Sequence, residues 1–170
     1  MIFALIHTPT LDNAQIQAFR RKYDPQVDLI APHITVIFPL PVSIGEDILI
    51  HHIKSVLAHW KPFPIHLEGV YRSDDDYIYL LVQEGKDNLT RLHDEIYTGL
   101  LTPYLRADIP YIPHVTLGIL TSNIKDQERI QQEAKQLGVD YRGVLDKFHL
   151  VKINDDRSRI VWTKELTLAK

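Results

Sequence analysis

Apolar residues along the chain alternate between short unbroken runs and a spacing of three or four. "IFALIH" at 2–7 is an apolar run of strand length, and Leu11, Ile16, Phe19 and Tyr23 follow it at helical spacing. Residues 33–38 are mostly β-branched or aromatic and predict a second strand, and 44–60 predicts a second helix. "FPIHLEGVYR" at 63–72 and "DYIYLLVQ" at 76–83 flank the acidic turn Ser73–Asp76, the pattern of an antiparallel hairpin. Residues 89–101 return to helical periodicity and stop before Pro103. A strand at 114–120, a polar helix over 124–137 ended by Gly138, and two final strands near 142–153 and 158–168 complete the order. The hairpins imply antiparallel pairing, so the fold expected is α+β and not a doubly wound sheet.

Composition narrows this picture. At 170 residues, with 45% hydrophobic and 24% charged, the chain is expected to form a single domain over 1–170 with one core. Each half holds strands, helices and one copy of a short motif, so two pseudo-symmetric lobes are expected inside that domain. The absence of cysteine excludes disulfides, thiolate metal ligands and cysteine nucleophiles. It fits a reducing cytoplasmic setting. The start lacks a basic region before its short apolar run, and no later stretch is long and apolar enough to span a bilayer, so no membrane partner is expected.

A net charge of −3 offers no basic stripe for a long nucleic-acid backbone. The two dense basic clusters, "FRRK" at 19–22 and "DRSR" at 156–159, read as solvated charged faces. A nucleic-acid partner would then be a short piece or an end, not a long duplex.

Two stretches carry the chemistry. "APHITVIFP" at 31–39 and "IPHVTLGIL" at 112–120 both write proline, histidine, spacer, threonine, aliphatic. With nine histidines in the chain a lone His-x-Thr is expected by chance, but the longer pattern is expected only on the order of 0.01 times, and it occurs twice. Strand alternation puts His33 and Thr35 on one face and Ile34 and Val36 on the other; His114 and Thr116 likewise oppose Val115 and Leu117. If the two strands meet, two imidazoles and two hydroxyls converge. Such a set suits in-line displacement at a phosphodiester, one imidazole accepting a proton and the other donating one, with the hydroxyls on non-bridging oxygens. A bell-shaped pH profile centred near neutrality follows; for hydrolysis of a cyclic phosphate His114 is taken as base and His33 as acid, with the reverse assignment left open because a pseudo-symmetric site can bind the substrate in either direction.

These paired motifs resemble the signature of the two-histidine phosphoesterase superfamily, and the order of "IFALI", "FRRKYDPQVDLIAPHITVIFPLP" and "PYIPHVTLGIL" is similar to its bacterial 2′-5′ RNA ligase-like branch. The resemblance implies a bilobal α+β fold, two antiparallel sheets lining a central cleft with helices outside. It implies metal-independent chemistry without a cofactor on 2′,3′-cyclic phosphates or 2′-5′ phosphodiester bonds of an RNA end or small nucleotide. Carried over, His33 and His114 are the catalytic pair, and Thr35 and Thr116 bind the substrate phosphate. Ile119 stands where that branch often has arginine.

Outside the quartet, strand parity makes Phe38 a core aromatic, and Tyr111 reads as a rim aromatic. Tyr77 and Tyr79 share a face, and Arg72, Arg106 and Arg142 are candidate phosphate or ribose contacts. His51 and His52 diverge on a helix, and His7, His59, His66, His93 and His149 have no companion pattern. Two rival functions remain: a metal-dependent hydrolase, against which neither motif strand offers a nearby carboxylate, and a binding module without turnover.

Overall fold

The computed structural model describes residues 2–11, 13–41, 43–120 and 124–170. Eight antiparallel strands run β1 Ile2–His7, β2 Ile34–Pro41, β3 Phe63–Arg72, β4 Tyr77–Val82, β5 His114–Ile119, β6 Asp140–Leu145, β7 Lys147–Ile153 and β8 Ile160–Thr167. The helices are α1 Ala14–Tyr23, α2 Glu46–Leu57, α3 Lys86–Ile96 and α4 Ile124–Gln136, with a 3-10 turn at Gly99–Tyr104 that contains Pro103. The strand order is β6-β3-β4-β5-β2-β1-β7-β8. Two four-stranded halves, β6-β3-β4-β5 and β2-β1-β7-β8, meet at one residue pair, Ile34 with Val115. The α+β class expected from the sequence is present, and the two antiparallel sheets expected are the halves of one eight-stranded sheet, joined edge to edge.

The helices cover one face. α1 packs on β5 and α4 on β3, while α3 packs on β2 and α2 on α3. The side chains between helices and sheet form one core that runs through both halves, from Phe3, Leu5 and Ile34 to Ile78, Leu80, Val115 and Leu117. A small second cluster, Ala4, Ile6 and Val151 with Ile30, Ile153 and Ile160, lies on the opposite face of β1 and β7. The segment between α1 and β2 thus reaches over the open face and contributes Ile30 to it.

Three differences from the sequence reading have physical causes. The stretch 142–153 is two strands: β6 ends at Leu145 on β3, Asp146 is exposed, and β7 begins at Lys147 on β1. An alternating pattern is satisfied equally by either partner, so it does not say which half each strand joins. In β2 the pairing with β1 slips twice, so Val36 and Ile37 are both buried and Phe38 moves to the open face. Parity counted from His33 fails beyond that bulge. In "FRRK", Arg20 is 1% exposed and belongs to the core face of α1 beside Ile16 and Phe19.

Candidate active site

The single pair Ile34 with Val115 fixes the geometry of both motifs. Both side chains are fully buried in the helix-covered core. Their strand neighbours His33, Thr35, His114 and Thr116 must therefore emerge together on the open face. All four are half-buried. One step along the antiparallel register from Ile34 and Val115 sets His33 beside Thr116 and Thr35 beside His114. Each imidazole thus faces the threonine of the other motif.

The prolines explain the rest of the pattern. His33 Nδ1 lies 2.9 Å from the Ala31 carbonyl, and His114 Nδ1 lies 2.5 Å from the Ile112 carbonyl, the same bond to the residue two before. The intervening Pro32 and Pro113 restrict those residues to extended conformations, which holds each carbonyl where the imidazole meets it. Both rings then carry the proton on Nδ1 and leave Nε2 for chemistry.

Burial is the main influence on both rings. It pushes the His114 imidazole down to about 4, against an opposing pull from the Ile112 carbonyl, and the charge of His33 lowers it further. His33 is also lowered, by burial first, with its Ala31 bond opposing and the Arg20 cation adding to the fall. Near neutrality the free site holds two neutral imidazoles. This moves the expected pH optimum from neutrality to the acid side.

A cleft of about 1120 Å³ opens beside His114. Phe38, Tyr71, Tyr77, Tyr79 and Tyr104 supply its aromatic wall, and Arg106 and Arg157 its cations. His33, Thr35 and Thr116 do not line this cleft. Tyr79 pairs with Thr116 in the β4–β5 ladder and stacks its ring on His114, with centroids 3.4 Å apart and planes at 22°.

The strand bearing the first motif is held from the side. Tyr111 Oη donates to the Thr35 carbonyl at 2.8 Å, His93 Nδ1 to the Val36 carbonyl at 2.7 Å, and the Phe38 amide donates to Tyr97 Oη at 3.2 Å. These bonds replace ladder bonds that β2 lacks because it meets β5 at one pair only. Tyr111 therefore braces β2, stacked on His93 with centroids 3.9 Å apart, and does not belong to a free rim. Phe38, expected in the core, lines the cleft instead because of the bulge.

The remaining candidates divide. Arg106 reaches the cleft but is held by Asp108 through two bonds of 2.9 and 2.7 Å. Arg72 is exposed off the cleft, and Arg142 lies on β6 near Glu84 and Asp140. His66 pairs with Asp140 at 2.7 Å, His7 with the Lys147 carbonyl and His52 with the Ile96 carbonyl. Sequence reasoning missed Arg157, a cleft residue from the "DRSR" cluster set on a turn with φ of 59°. It also missed Arg20, whose Nε and Nη2 hold Asp24 at 2.9 and 2.7 Å while Nη2 donates to the Ile30 carbonyl at 2.8 Å. The signal for Arg20 was available: it stands four after Ile16 and four before Asp24. Among the described residues no three His, Asp or Glu side chains converge as metal ligands would.

The chain is similar to known proteins over most of its length. The model of the 2′-5′ RNA ligase superfamily matches residues 8–157. A Bacillus licheniformis protein that carries a provisional phosphoesterase name is 27% identical over 149 residues, 86% of this chain and 84% of that one. A Geobacillus kaustophilus protein, provisionally named in the same way, is 28% identical over 138 residues, 79% of this chain and 77% of its own. Among solved structures, TT0787 of Thermus thermophilus aligns with a TM-score of 0.63 at 15% identity over the full length of both chains. E. coli LigT complexed with 3′-AMP aligns with a TM-score of 0.57 at 17% identity, covering 98% of this chain and 93% of that one. With its paired Pro-His-x-Thr strands brought onto one face and the family match spanning nearly the whole sequence, the chain belongs to the 2′-5′ RNA ligase superfamily of two-histidine phosphoesterases.

Proposed function

We propose that the protein breaks, or reversibly forms, phosphodiester bonds at 2′,3′-cyclic phosphates or 2′-5′ linkages of RNA ends or small nucleotides, by general acid and base catalysis without a metal. The observation that carries this reading is the Ile34 with Val115 pair, which brings both His-x-Thr sets onto one face. In hydrolysis of a cyclic phosphate, His114 Nε2 takes the proton of the attacking water and His33 Nε2 protonates the 3′ leaving oxygen. Thr35 and Thr116 donate to the non-bridging oxygens, where negative charge must be held as the five-coordinate phosphorus forms. Binding an anionic phosphate favours protonation of one imidazole, which offsets the burial that keeps both neutral in the free site.

The cleft beside His114 supports a nucleotide-sized substrate, since its aromatic wall suits a base and its volume exceeds that of a lone ribose phosphate. Structural relatives point the same way: solved structures hold 3′-AMP in E. coli LigT and uridine monophosphate in Kluyveromyces marxianus Usb1. The test is product analysis over 2′,3′-cyclic nucleotides, 2′-5′ dinucleotides and RNA ends in the presence of EDTA. Turnover of at least one class in EDTA is expected; activity that disappears with EDTA and returns with zinc or manganese would replace this reading with a metal-dependent one. Binding of the whole panel without turnover of any member would make the protein a binding module.

A further inference from the structure

We propose that Tyr79 is a positioning residue for the His114 imidazole and not a stacking platform for the substrate base. The proposal rests on the two-histidine reading above but concerns a residue outside the two motifs. Tyr79 lines the cleft, where an aromatic ring would ordinarily be assigned to a base. One face of the ring is already occupied: the His114 imidazole lies on it with centroids 3.4 Å apart. Its other aromatic neighbours are Tyr77 at 6.1 Å and Tyr71 at 6.4 Å, the latter opposite it in the β3–β4 ladder.

The contact completes a constraint that the Pro-His-x-Thr strand leaves unfinished. The Nδ1 bond to the Ile112 carbonyl fixes one edge of the imidazole, yet the ring can still swing about that bond. A flat ring pressed on its face removes the swing and leaves Nε2 a single direction. Tyr79 is itself held in place by the sheet, opposite Thr116 on β5 and Tyr71 on β3, while its Oη makes only a long contact of 3.4 Å to Asp75 Oδ1. Burial raises the Tyr79 phenol above its ordinary value, so the ring is uncharged at neutral pH and presents a neutral π face to the imidazole in either protonation state. No equivalent stack is present on His33 among the described residues, so the brace is specific to the second motif.

The experiment separates the two roles by removing the base from the substrate. Wild type, Tyr79→Phe and Tyr79→Leu are assayed on a 2′,3′-cyclic nucleotide and on the 2′,3′-cyclic phosphate of a base-free methyl riboside. Loss of the brace is expected to lower kcat of Tyr79→Leu about ten- to a hundredfold on both substrates, with KM changed by no more than about twofold, because a misdirected catalytic group costs rate more than binding. Tyr79→Phe, which keeps the stacked face, is expected to retain most activity. A defect confined to KM and absent with the base-free riboside would overturn the proposal in favour of a base platform; Tyr79→Phe as impaired as Tyr79→Leu would also overturn it. A wild type inactive on every such ester would fail the functional reading instead. The stack has its own readout independent of turnover or of the folding of a variant: in wild type the ring protons of His114 should show an upfield ring-current shift and cross-peaks to Tyr79. Their absence would refute the contact itself.

Discussion

Replacing Arg20 by methionine is expected to destabilise the fold severely, although the residue lies outside both motifs. Arg20 is 1% exposed and Asp24 8%, and the guanidinium spans 2.9 and 2.7 Å bonds to that carboxylate and a 2.8 Å bond to the Ile30 carbonyl. Arg20→Met strips Asp24 Oδ2 of its guanidinium partner and the Ile30 carbonyl of its donor, leaving a buried carboxylate held only by the Gln26 amide, and breaking one side of such a pair costs about 3–5 kcal/mol. A domain of this kind has roughly 5–15 kcal/mol in total. Adding Asp24→Asn removes the stranded charge while keeping an oxygen for the Gln26 amide, which Asp24 accepts at 2.8 Å. The double variant should therefore be more stable than the sum of the two single losses by about 1–3 kcal/mol. Urea unfolding of the wild type, both singles and the double closes the cycle. An Arg20→Met cost below about 1 kcal/mol, or strictly additive losses, would refute the picture of a buried pair bracing the segment that leads to His33.

Two further outcomes follow from the site. The kcat/KM profile should be bell-shaped with its maximum below the ordinary histidine value of 6.5, because burial lowers both imidazoles of the pair, His114 to about 4 and His33 below its ordinary value, and the two limbs belong to the pair. A maximum above pH 7 in kcat/KM would contradict these environments. Thr35→Val and Thr116→Val should each slow turnover of a cyclic phosphate by roughly ten- to a hundredfold, the equivalent of one hydrogen bond to a charged group at about 1.5–3 kcal/mol; steady-state rates at saturating substrate check this, and unchanged rates would remove the threonines from phosphate binding.

Much of this molecule is legible from its residues, but only where local rules govern. The faces of His33, Thr35, His114 and Thr116 follow from strand alternation because the buried pair Ile34 and Val115 sits between them, with no bulge before Thr35. Phe38 escapes that rule because β2 bulges after Thr35, and a bulge is set by pairing with β1 rather than by the apolar pattern of β2 itself. The crossing at Asp146 leaves one trace, since Leu145 and Phe148 are both buried although three residues apart, but that break in alternation does not say which half each strand joins. Tyr79 on His114, and Arg157 in the cleft, depend on register and on a turn far along the chain, which one sequence does not specify. Arg20 is masked by its charge, because a basic residue among "FRRK" reads as solvated unless its helical spacing to Ile16 and Asp24 is weighed first.

The central claim is that His33 and His114 act as one unit, and kinetics of the two single alanine variants and the double variant on a 2′,3′-cyclic nucleotide in EDTA test it most directly. Each single substitution should remove most of kcat, and the double should lose little more, because a base without its acid partner accomplishes almost none of the transfer. Losses that multiply, or a single variant that keeps wild-type turnover, would contradict the account.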